Sequence, residues 1–135
     1  GVAVETERGL VVPVIKNCEK KSLKEITIEL SKLATKAHEN KLTIEDIEGG
    51  TITISSLGGI GGTNFTPIVN PPQVAILGFS KAEYKLIHEK GKFVKGLILP
   101  FSLTYDHRVI DGAQAAKFTT KLKELLSSVK LIGKK

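Results

Sequence analysis

The first half of the chain contains a run of residues with the periodicity of an amphipathic helix. Across residues 22–40, apolar side chains recur every three or four positions, as one buried helix face requires. They are Leu23, Ile26, Leu30, Leu33 and Ala37. Ser22 stands before this run and Glu25 three positions later, which is the spacing of a capping box. The pattern predicts a helix that begins after Ser22 and extends to about Asn40.

Two further helix starts follow the same logic. Thr43 and Asp46 have the spacing to cap one short turn of helix. Near the end of the chain, Asp111 is a favourable N-cap for a helix whose apolar residues again share one face. Those residues are Ala115, Phe118, Leu122 and Leu125.

The remaining apolar runs predict strands. Short β-branched runs at 1–6 and 10–15 indicate a hairpin or two successive strands. The alternating run 51–54 indicates a strand, and the continuous apolar run 74–79 indicates a buried strand. A second hairpin is expected from 84–87 and 93–95, and 97–105 is expected to extend the sheet. The order of these elements predicts an α/β domain with a central sheet flanked by helices.

A connection rich in glycine, proline and hydroxyl residues is predicted from Ser55 to Pro72. Long ordered loops of this kind often carry function. The glycines at 58–62 do not form a dinucleotide-binding fingerprint, because Asn64 stands where its last glycine belongs, and no Gly-Lys-Ser/Thr follows them. A turn-rich loop is therefore the simplest interpretation.

The composition of the chain excludes several classes of protein and of site. The 135 residues suffice for one domain or part of one. A net charge of +6 raises the question of nucleic acid, but the basic residues are dispersed among acidic ones and only 5% of residues are aromatic, so nucleic-acid binding is not expected. No apolar stretch is long enough for a membrane span. The single cysteine, Cys18, excludes an intrachain disulfide and a multi-cysteine zinc site, and no metal site is predicted.

Of the three histidines, one lies where catalytic groups are commonly presented. His38 and His88 are expected on the surface, on the polar side of a helix and near a hairpin turn. His107 follows an apolar strand and precedes the helix that Asp111 caps, so it lies at a strand-to-helix junction. No Gly-x-Ser-x-Gly nucleophile elbow is present. Catalytic and structural roles for His107 both remain open on these grounds.

Residues 106–112 contain the pattern His-x-x-x-Asp-Gly, which resembles the motif shared by chloramphenicol acetyltransferases and the dihydrolipoamide acyltransferases of 2-oxo acid dehydrogenase complexes. Further segments resemble the second of these groups in the same order along the chain, and together they span nearly all of it. They are 1–6, 9–14, 33–37, 49–56, 66–72 and 75–78. The resemblance is greatest to the pyruvate dehydrogenase, or acetyltransferase, branch.

This resemblance implies a coenzyme A-dependent acyltransferase fold, similar to chloramphenicol acetyltransferase, with a central mixed sheet flanked by helices. It implies that residues 1–135 are the C-terminal part of the catalytic domain, without its upstream half and without the lipoyl and subunit-binding domains. The expected assembly is a homotrimer that builds a larger core. The expected partners are a lipoyl domain and the decarboxylase and dihydrolipoamide dehydrogenase components, in bacterial cytoplasm or mitochondrial matrix.

The implied reaction is acetyl transfer between dihydrolipoamide, carried on a lipoyl domain outside this chain, and coenzyme A as substrate. By position, His107 would be the base and Ser55 of a neighbouring subunit would stabilise the oxyanion, with Ser56 beside it as the competing assignment. Asp111 would either order the active site or simply cap its helix. Succinyl or branched-chain acyl transfer, and a non-catalytic scaffold, are the alternatives. No residues are assigned to coenzyme A binding.

Overall fold

The computed structural model describes residues 1–128. In this part of the chain the strands are β1 (Val4–Thr6), β2 (Gly9–Val11), β3 (Thr53–Ser56), β4 (Ala75–Phe79), β5 (Glu83–Glu89), β6 (Lys92–Ile98) and β7 (Phe101–Tyr105). The helices are α1 (Leu23–His38), α2 (Ile44–Ile47) and α3 (Gly112–Ser127), with one 3-10 turn at Cys18–Lys20. The predicted helices and both hairpins are confirmed.

A mixed three-stranded sheet in the order β3-β4-β7 forms the centre of the structure. β3 runs parallel to β4, and β4 runs antiparallel to β7. β4 is the middle strand, and its residues Ala75, Ile76 and Leu77 are buried. A strand covered on both faces is expected to be apolar at consecutive positions, which explains this run. The central mixed sheet predicted for the α/β fold is confirmed.

The helices begin where the sequence predicts. Ser22 and Glu25 make both hydrogen bonds of a capping box at the start of α1, which packs against β1 and buries Leu33 and Ala37. Such a cap satisfies two backbone N–H groups that the first helical turn leaves without partners. α3 packs on one face of the central sheet through the buried Ala115.

The N-terminal residues secure the outer edge of β3. Val2 and Ile54 form a parallel bridge, the Ala3 N–H donates to the Ile54 carbonyl over 2.8 Å, and the Ile54 N–H donates to the Gly1 carbonyl over 2.8 Å. Since β4 occupies the other edge, β3 is hydrogen-bonded on both sides. Its position in the fold is therefore well fixed.

The β5-β6 hairpin is a separate two-stranded sheet with an apolar face in solvent. Tyr84 and Leu86 on β5 are 66% and 77% exposed, and Phe93 and Leu97 on β6 are 76% and 60% exposed. In the register of the hairpin these side chains lie on one face. We call these four residues the hairpin face.

Two strand boundaries differ from the sequence prediction. The strand expected at 51–54 is β3 at Thr53–Ser56, so Ser55 and Ser56 belong to the sheet and not to the following loop. Pairing with Gly78 and Phe79 extends the strand over both serines. The strand expected at 97–105 is interrupted before β7, because Pro100 has no N–H to continue a ladder. In residues 1–128 no helix has the length and apolarity needed to cross a bilayer.

Candidate active site

His107 lies exposed in the turn between β7 and α3. The preceding Asp106 anchors this turn to the sheet, since its N–H donates to the Val74 carbonyl over 2.8 Å. Its carbonyl accepts from the N–H groups of Val109 and Ile110, each over 3.0 Å. The backbone is thus fixed on both sides of His107, while the imidazole itself faces solvent.

Asp106 and Arg108, the two sequence neighbours of His107, form an ion pair. The Arg108 guanidinium donates to both carboxylate oxygens of Asp106, with Nε to Oδ1 at 2.9 Å and Nη2 to Oδ2 at 2.6 Å, and the Arg108 N–H donates to Oδ1 at 2.9 Å. The guanidinium bonds, followed by the backbone N–H bond, lower the pKa of the Asp106 carboxyl to about 2. The pair is therefore ionised at neutral pH and adds to the rigidity of the turn. The Tyr105 ring lies 5.6 Å from the His107 ring, centroid to centroid.

Asp111 is the N-cap of α3. Its Oδ1 accepts from the N–H of Gln114 over 2.8 Å, and its side chain is exposed. The predicted cap is confirmed. Among residues 1–128 no hydrogen bond joins Asp111 to His107, so the geometry of this chain gives Asp111 a structural task and leaves its catalytic role a prediction.

The two candidate serines differ in orientation and in hydrogen bonding. Ser55 and Ser56 are consecutive residues of β3 and so point to opposite faces of the sheet. The Ser56 hydroxyl accepts from the Gly58 N–H over 3.4 Å, and the residue is exposed. Ser55 is half-buried, and within residues 1–128 its hydroxyl has no hydrogen-bond partner. Ser55 therefore offers a partly desolvated donor that a ligand could use.

A glycine lies beside Ser55 and allows a loop to cross the sheet. Ser55, Gly78 and Ser102 occupy one register position across β3, β4 and β7, so their side-chain positions share a face. A Cβ on Gly78 would lie 2.8 Å from Phe65 Cζ, 2.9 Å from Ser102 Oγ and 3.0 Å from Pro67 Cδ. This row was not predicted from the sequence, although a glycine inside an apolar strand is a known indication of close backbone approach.

A buried polar pair fixes the same face of β3. Thr53 is fully buried, and its hydroxyl donates to Gln73 Oε1 over 2.6 Å. Thr53 precedes Ser55 by two positions and therefore points to the same face. Because Gln73 closes the long loop just before β4, this bond joins the end of the loop to the strand that carries Ser55.

The structure does not bring Ser55 and His107 together within one chain. Ser55 is opposite Gly78, whereas Asp106, just before His107, bonds to Val74 four residues earlier on β4. Four residues along a strand and two strand spacings across the sheet give a separation of about 16 Å between the backbones of Ser55 and Asp106. A single small functional group cannot contact both side chains across that distance within one chain.

The other candidate residues lie apart from this region. His38 and His88 are exposed, as predicted, and His88 stacks edge-on against Phe93. Cys18 is exposed and its thiol donates to the Ile15 carbonyl over 3.2 Å. Within residues 1–128 no cluster of three or more His, Cys, Asp or Glu side chains could hold a metal ion.

A cavity of about 330 Å³ lies between part of α3 and the sheet. Its lining is almost entirely apolar and includes Leu103 on β7, Ala75 on β4 and Phe118 on α3. Phe118 is 45% exposed, so this face of α3 is incompletely covered. None of the side chains that line this cavity is cationic.

Comparison with known proteins gives one consistent family. Residues 1–133 match the model of the 2-oxoacid dehydrogenases acyltransferase (catalytic domain). The chain is 53% identical over 130 residues to the dihydrolipoyllysine-residue acetyltransferase component of the pyruvate dehydrogenase complex of Haemophilus influenzae, covering 96% of this chain and 23% of that protein. It is 46% identical over 132 residues to the component of the same name from Bacillus subtilis, covering 98% and 30%.

Solved structures that resemble this chain indicate the same family. Dihydrolipoamide acetyltransferase of Azotobacter vinelandii, in a study of the roles of a serine, a histidine and an asparagine in its catalytic mechanism, matches with a TM-score of 0.94 and 53% identity over 98% of this chain. The cubic core of the pyruvate dehydrogenase multienzyme complex also gives a TM-score of 0.94, with 52% identity. The chain spans 54% of each of those structures and a third or less of the curated relatives named above.

Proposed function

Because the chain belongs to the 2-oxoacid dehydrogenase acyltransferase family, as part of its catalytic domain, we propose that the protein transfers an acetyl group between dihydrolipoamide and coenzyme A. In this proposal residues 1–135 are the C-terminal part of that domain. His107 is the general base and Ser55 of a neighbouring subunit stabilises the oxyanion. One observation carries the assignment, namely that Ser55, His107 and Asp111 repeat the spacing of three residues studied in a relative.

The three residues studied in the Azotobacter vinelandii enzyme support this assignment by their spacing. Its serine precedes its histidine by as many residues as separate Ser55 from His107, and its asparagine follows the histidine by the same four positions that separate His107 from Asp111. Ser56 does not fit this spacing. Ser55 is therefore the preferred serine, in agreement with its half-buried hydroxyl that has no partner within residues 1–128.

In this proposal His107 removes the proton from a thiol. Thiols and imidazoles have ordinary pKa values only about 2 units apart, so a positioned imidazole can accept the proton as the sulfur attacks. The thiolate then adds to the thioester carbonyl, and the tetrahedral intermediate expels the other sulfur as a thiolate. That leaving thiolate takes the proton back from the imidazolium, which restores the base. The exposed imidazole on a fixed turn suits a group that must meet two substrates in succession.

In this proposal the Ser55 hydroxyl donates a hydrogen bond to the oxyanion of that intermediate. Removal of one such donor typically lowers the rate by about 10² to 10³. A half-buried hydroxyl is favourable here, because a partly desolvated donor interacts more strongly with developing charge than a hydrated one.

Asp111 stands where the relative has asparagine. Both residue types offer an oxygen that caps a helix, but only aspartate carries a charge. The role common to the two proteins is thus best explained by the hydrogen bond that fixes the start of α3. This supports a positioning role for Asp111 and argues against a charge partner for His107.

The separation of about 16 Å between β3 and the turn of His107 supports the proposal that two subunits share the site. The exposed hairpin face provides an apolar surface of the kind that interfaces between copies bury. We therefore include in the proposal a homotrimer within a larger core, served by a lipoyl domain and by decarboxylase and dihydrolipoamide dehydrogenase components. Bacterial cytoplasm or mitochondrial matrix is the proposed location.

The direct test is acetyl transfer from acetyl-coenzyme A to dihydrolipoamide by the full-length, assembled protein. His107→Ala should abolish most of the transfer, and Ser55→Ala should reduce it by about 10² to 10³. His88→Ala and Ser56→Ala are matched controls and should retain the wild-type rate. An assembled His107→Ala protein with full activity would remove the base from this proposal, and a wild type inactive with every acyl donor would favour the scaffold alternative.

A mixing experiment tests whether two subunits share the site. Co-assembly of His107→Ala and Ser55→Ala subunits in equal amounts places an intact pair at one interface of every mixed trimer. Random mixing should therefore restore about one quarter of the wild-type activity in a cyclic trimer. If both residues acted within one subunit, the mixture would be as inactive as its components.

The acyl group is tested by a panel of acetyl-, succinyl- and isobutyryl-coenzyme A. We expect the highest kcat/KM with the acetyl donor, since the relatives compared above are acetyltransferases. A preference for the succinyl or the branched donor would replace the acetyl assignment with one of the two alternatives.

A further inference from the structure

The loop between β3 and β4 is attached to the sheet at the row of residues that contains Ser55. The Ser102 hydroxyl on β7 donates to the Phe65 carbonyl over 2.7 Å, and this bond is partly buried. Phe65 is half-buried and Pro67 is buried, both against the space that Gly78 leaves open on β4. The loop thus crosses the sheet over the central strand, on the face to which Ser55 points.

A single hydrogen bond makes this attachment. Among the hydrogen bonds of residues 1–128, the bond from Ser102 is the only one made by the segment 62–69. The earlier part of the loop is fixed by the Leu57 N–H on the Phe79 carbonyl, and the later part by Thr53 on Gln73. Between these points the segment depends on one side-chain hydroxyl and on its own packing.

We propose that Ser102 is a positioning residue for the oxyanion donor. Its hydroxyl holds the Phe65 carbonyl, and through it the segment 62–69, as a fixed wall over Gly78 beside Ser55. This wall keeps the Ser55 hydroxyl in a constant, partly desolvated orientation. Ser102 itself does not contact the reacting atoms. This inference rests on the proposed role of Ser55.

The loss of this hydroxyl has a specific consequence. In Ser102→Ala the Phe65 carbonyl loses its hydrogen-bond donor, which is unfavourable for a partly buried group. The segment can then shift, and water can reach Ser55. Misplacement of a catalytic group by about 1 Å lowers rates by up to about 100-fold. Loss of an interaction that is made only in the transition state lowers kcat without changing KM.

The test is a double-mutant cycle in the assembled full-length protein, with acetyl-coenzyme A and dihydrolipoamide as substrates. In the Ser55 background, Ser102→Ala should lower kcat by roughly 10- to 100-fold with KM unchanged. In the Ser55→Ala background the same change should have no further effect. Ser102→Thr, which keeps the hydroxyl and suits a strand, should restore the rate.

A matched control removes a hydroxyl on the other side of the sheet. Thr119 on α3 donates to the Ala115 carbonyl, so Thr119→Val deletes a comparable side-chain bond away from Ser55. It should leave kcat at the wild-type value. Should Ser102→Ala fail to assemble, Ser102→Cys replaces it, because a thiol keeps the size of the side chain but donates weakly, and the same loss is expected.

Two results would overturn the inference. The first is full kcat in the assembled Ser102→Ala protein. The second is an equal loss in the Ser55 and Ser55→Ala backgrounds, which would show a general structural effect. A wrong assignment of Ser55 would give a different result. Ser55→Ala alone would then keep the full rate, and Ser102 would have no oxyanion donor to position.

Discussion

Substitution of Gly78 by alanine tests the close approach on which the geometry around Ser55 depends. Gly78 is the middle residue of its row, with β3 on one side and β7 on the other. The added methyl group would lie 2.8 Å from Phe65 Cζ, 2.9 Å from Ser102 Oγ and 3.0 Å from Pro67 Cδ. Each distance is well below van der Waals contact, and the three neighbours lie on two different segments, so no single rotation relieves the overlap.

Two opposing effects set the size of the change. Replacing glycine by alanine in an extended strand favours folding by about 0.4 to 1 kcal/mol, because the unfolded chain loses freedom. Overpacking a well-packed site typically costs about 1 to 3 kcal/mol. The second effect is larger, so Gly78→Ala should lower the free energy of unfolding by about 1 to 2 kcal/mol. For a domain of 150 to 250 residues, this corresponds to a Tm lower by about 2 to 8 °C.

The assay is thermal unfolding of the assembled protein at one fixed subunit concentration, since association contributes to Tm. Gly96→Ala on β6 is the matched control. Its methyl group would meet only Ile87, with Cδ1 at 2.8 Å, and that flexible side-chain end can move aside. Gly96→Ala should therefore change Tm much less. A Gly78→Ala protein as stable as wild type, or a loss as large in Gly96→Ala, would refute the close-approach argument.

Three other predictions concern single contacts. Asp111→Asn should leave Tm and acetyl transfer nearly unchanged, because either side chain caps α3. Asp111→Ala should lower the free energy of unfolding by about 1 kcal/mol in thermal unfolding. A large loss of acetyl transfer in Asp111→Asn would assign a role to the charge. Thr53→Val leaves the Gln73 oxygen unpaired and should lower the free energy of unfolding by about 1 to 3 kcal/mol, with a smaller loss in Thr53→Ser, as measured by denaturant titration. The Arg108 guanidinium lowers the pKa of Asp106 to about 2. The stability that this carboxylate adds is therefore present above its unfolded pKa, about 3.9, and is lost as pH falls through about 2. Plots of Tm against pH for wild type and Asp106→Asn should converge there, and parallel plots would contradict the assignment.

The helices could be predicted from the sequence because their determinants are local. Ser22 and Glu25 form the first capping box within four residues, and Thr43 and Asp46 form the second in the same way. Asp111 caps α3 by the same short-range mechanism. These contacts require no knowledge of the rest of the fold, so spacing alone is sufficient to predict them.

The end of β3 could not be predicted in this way. Ser55 and Ser56 are followed by a glycine-rich run, and hydroxyl and glycine residues favour loops. What makes these serines a strand is their pairing with Gly78 and Phe79, more than twenty positions later in the chain. The same pairing orients the two side chains to opposite faces, so the distinction between the candidate serines depends on a long-range contact.

The distance between Ser55 and His107 depends on strand order, which no spacing along the chain encodes. β4 lies between β3 and β7, and β7 returns antiparallel to β4, so His107 emerges at the end of the sheet where β4 begins. Had the strand after the hairpin paired parallel to β4, the turn would have emerged near Ser55, and one chain could have held both groups. The resemblance of the motifs supplied the two residues and their proposed roles, whereas the topology supplies the physical reason for proposing that two subunits share the site. In that proposal the site is divided within the chain, because the antiparallel return of β7 places Ser55 and His107 at opposite ends of one sheet.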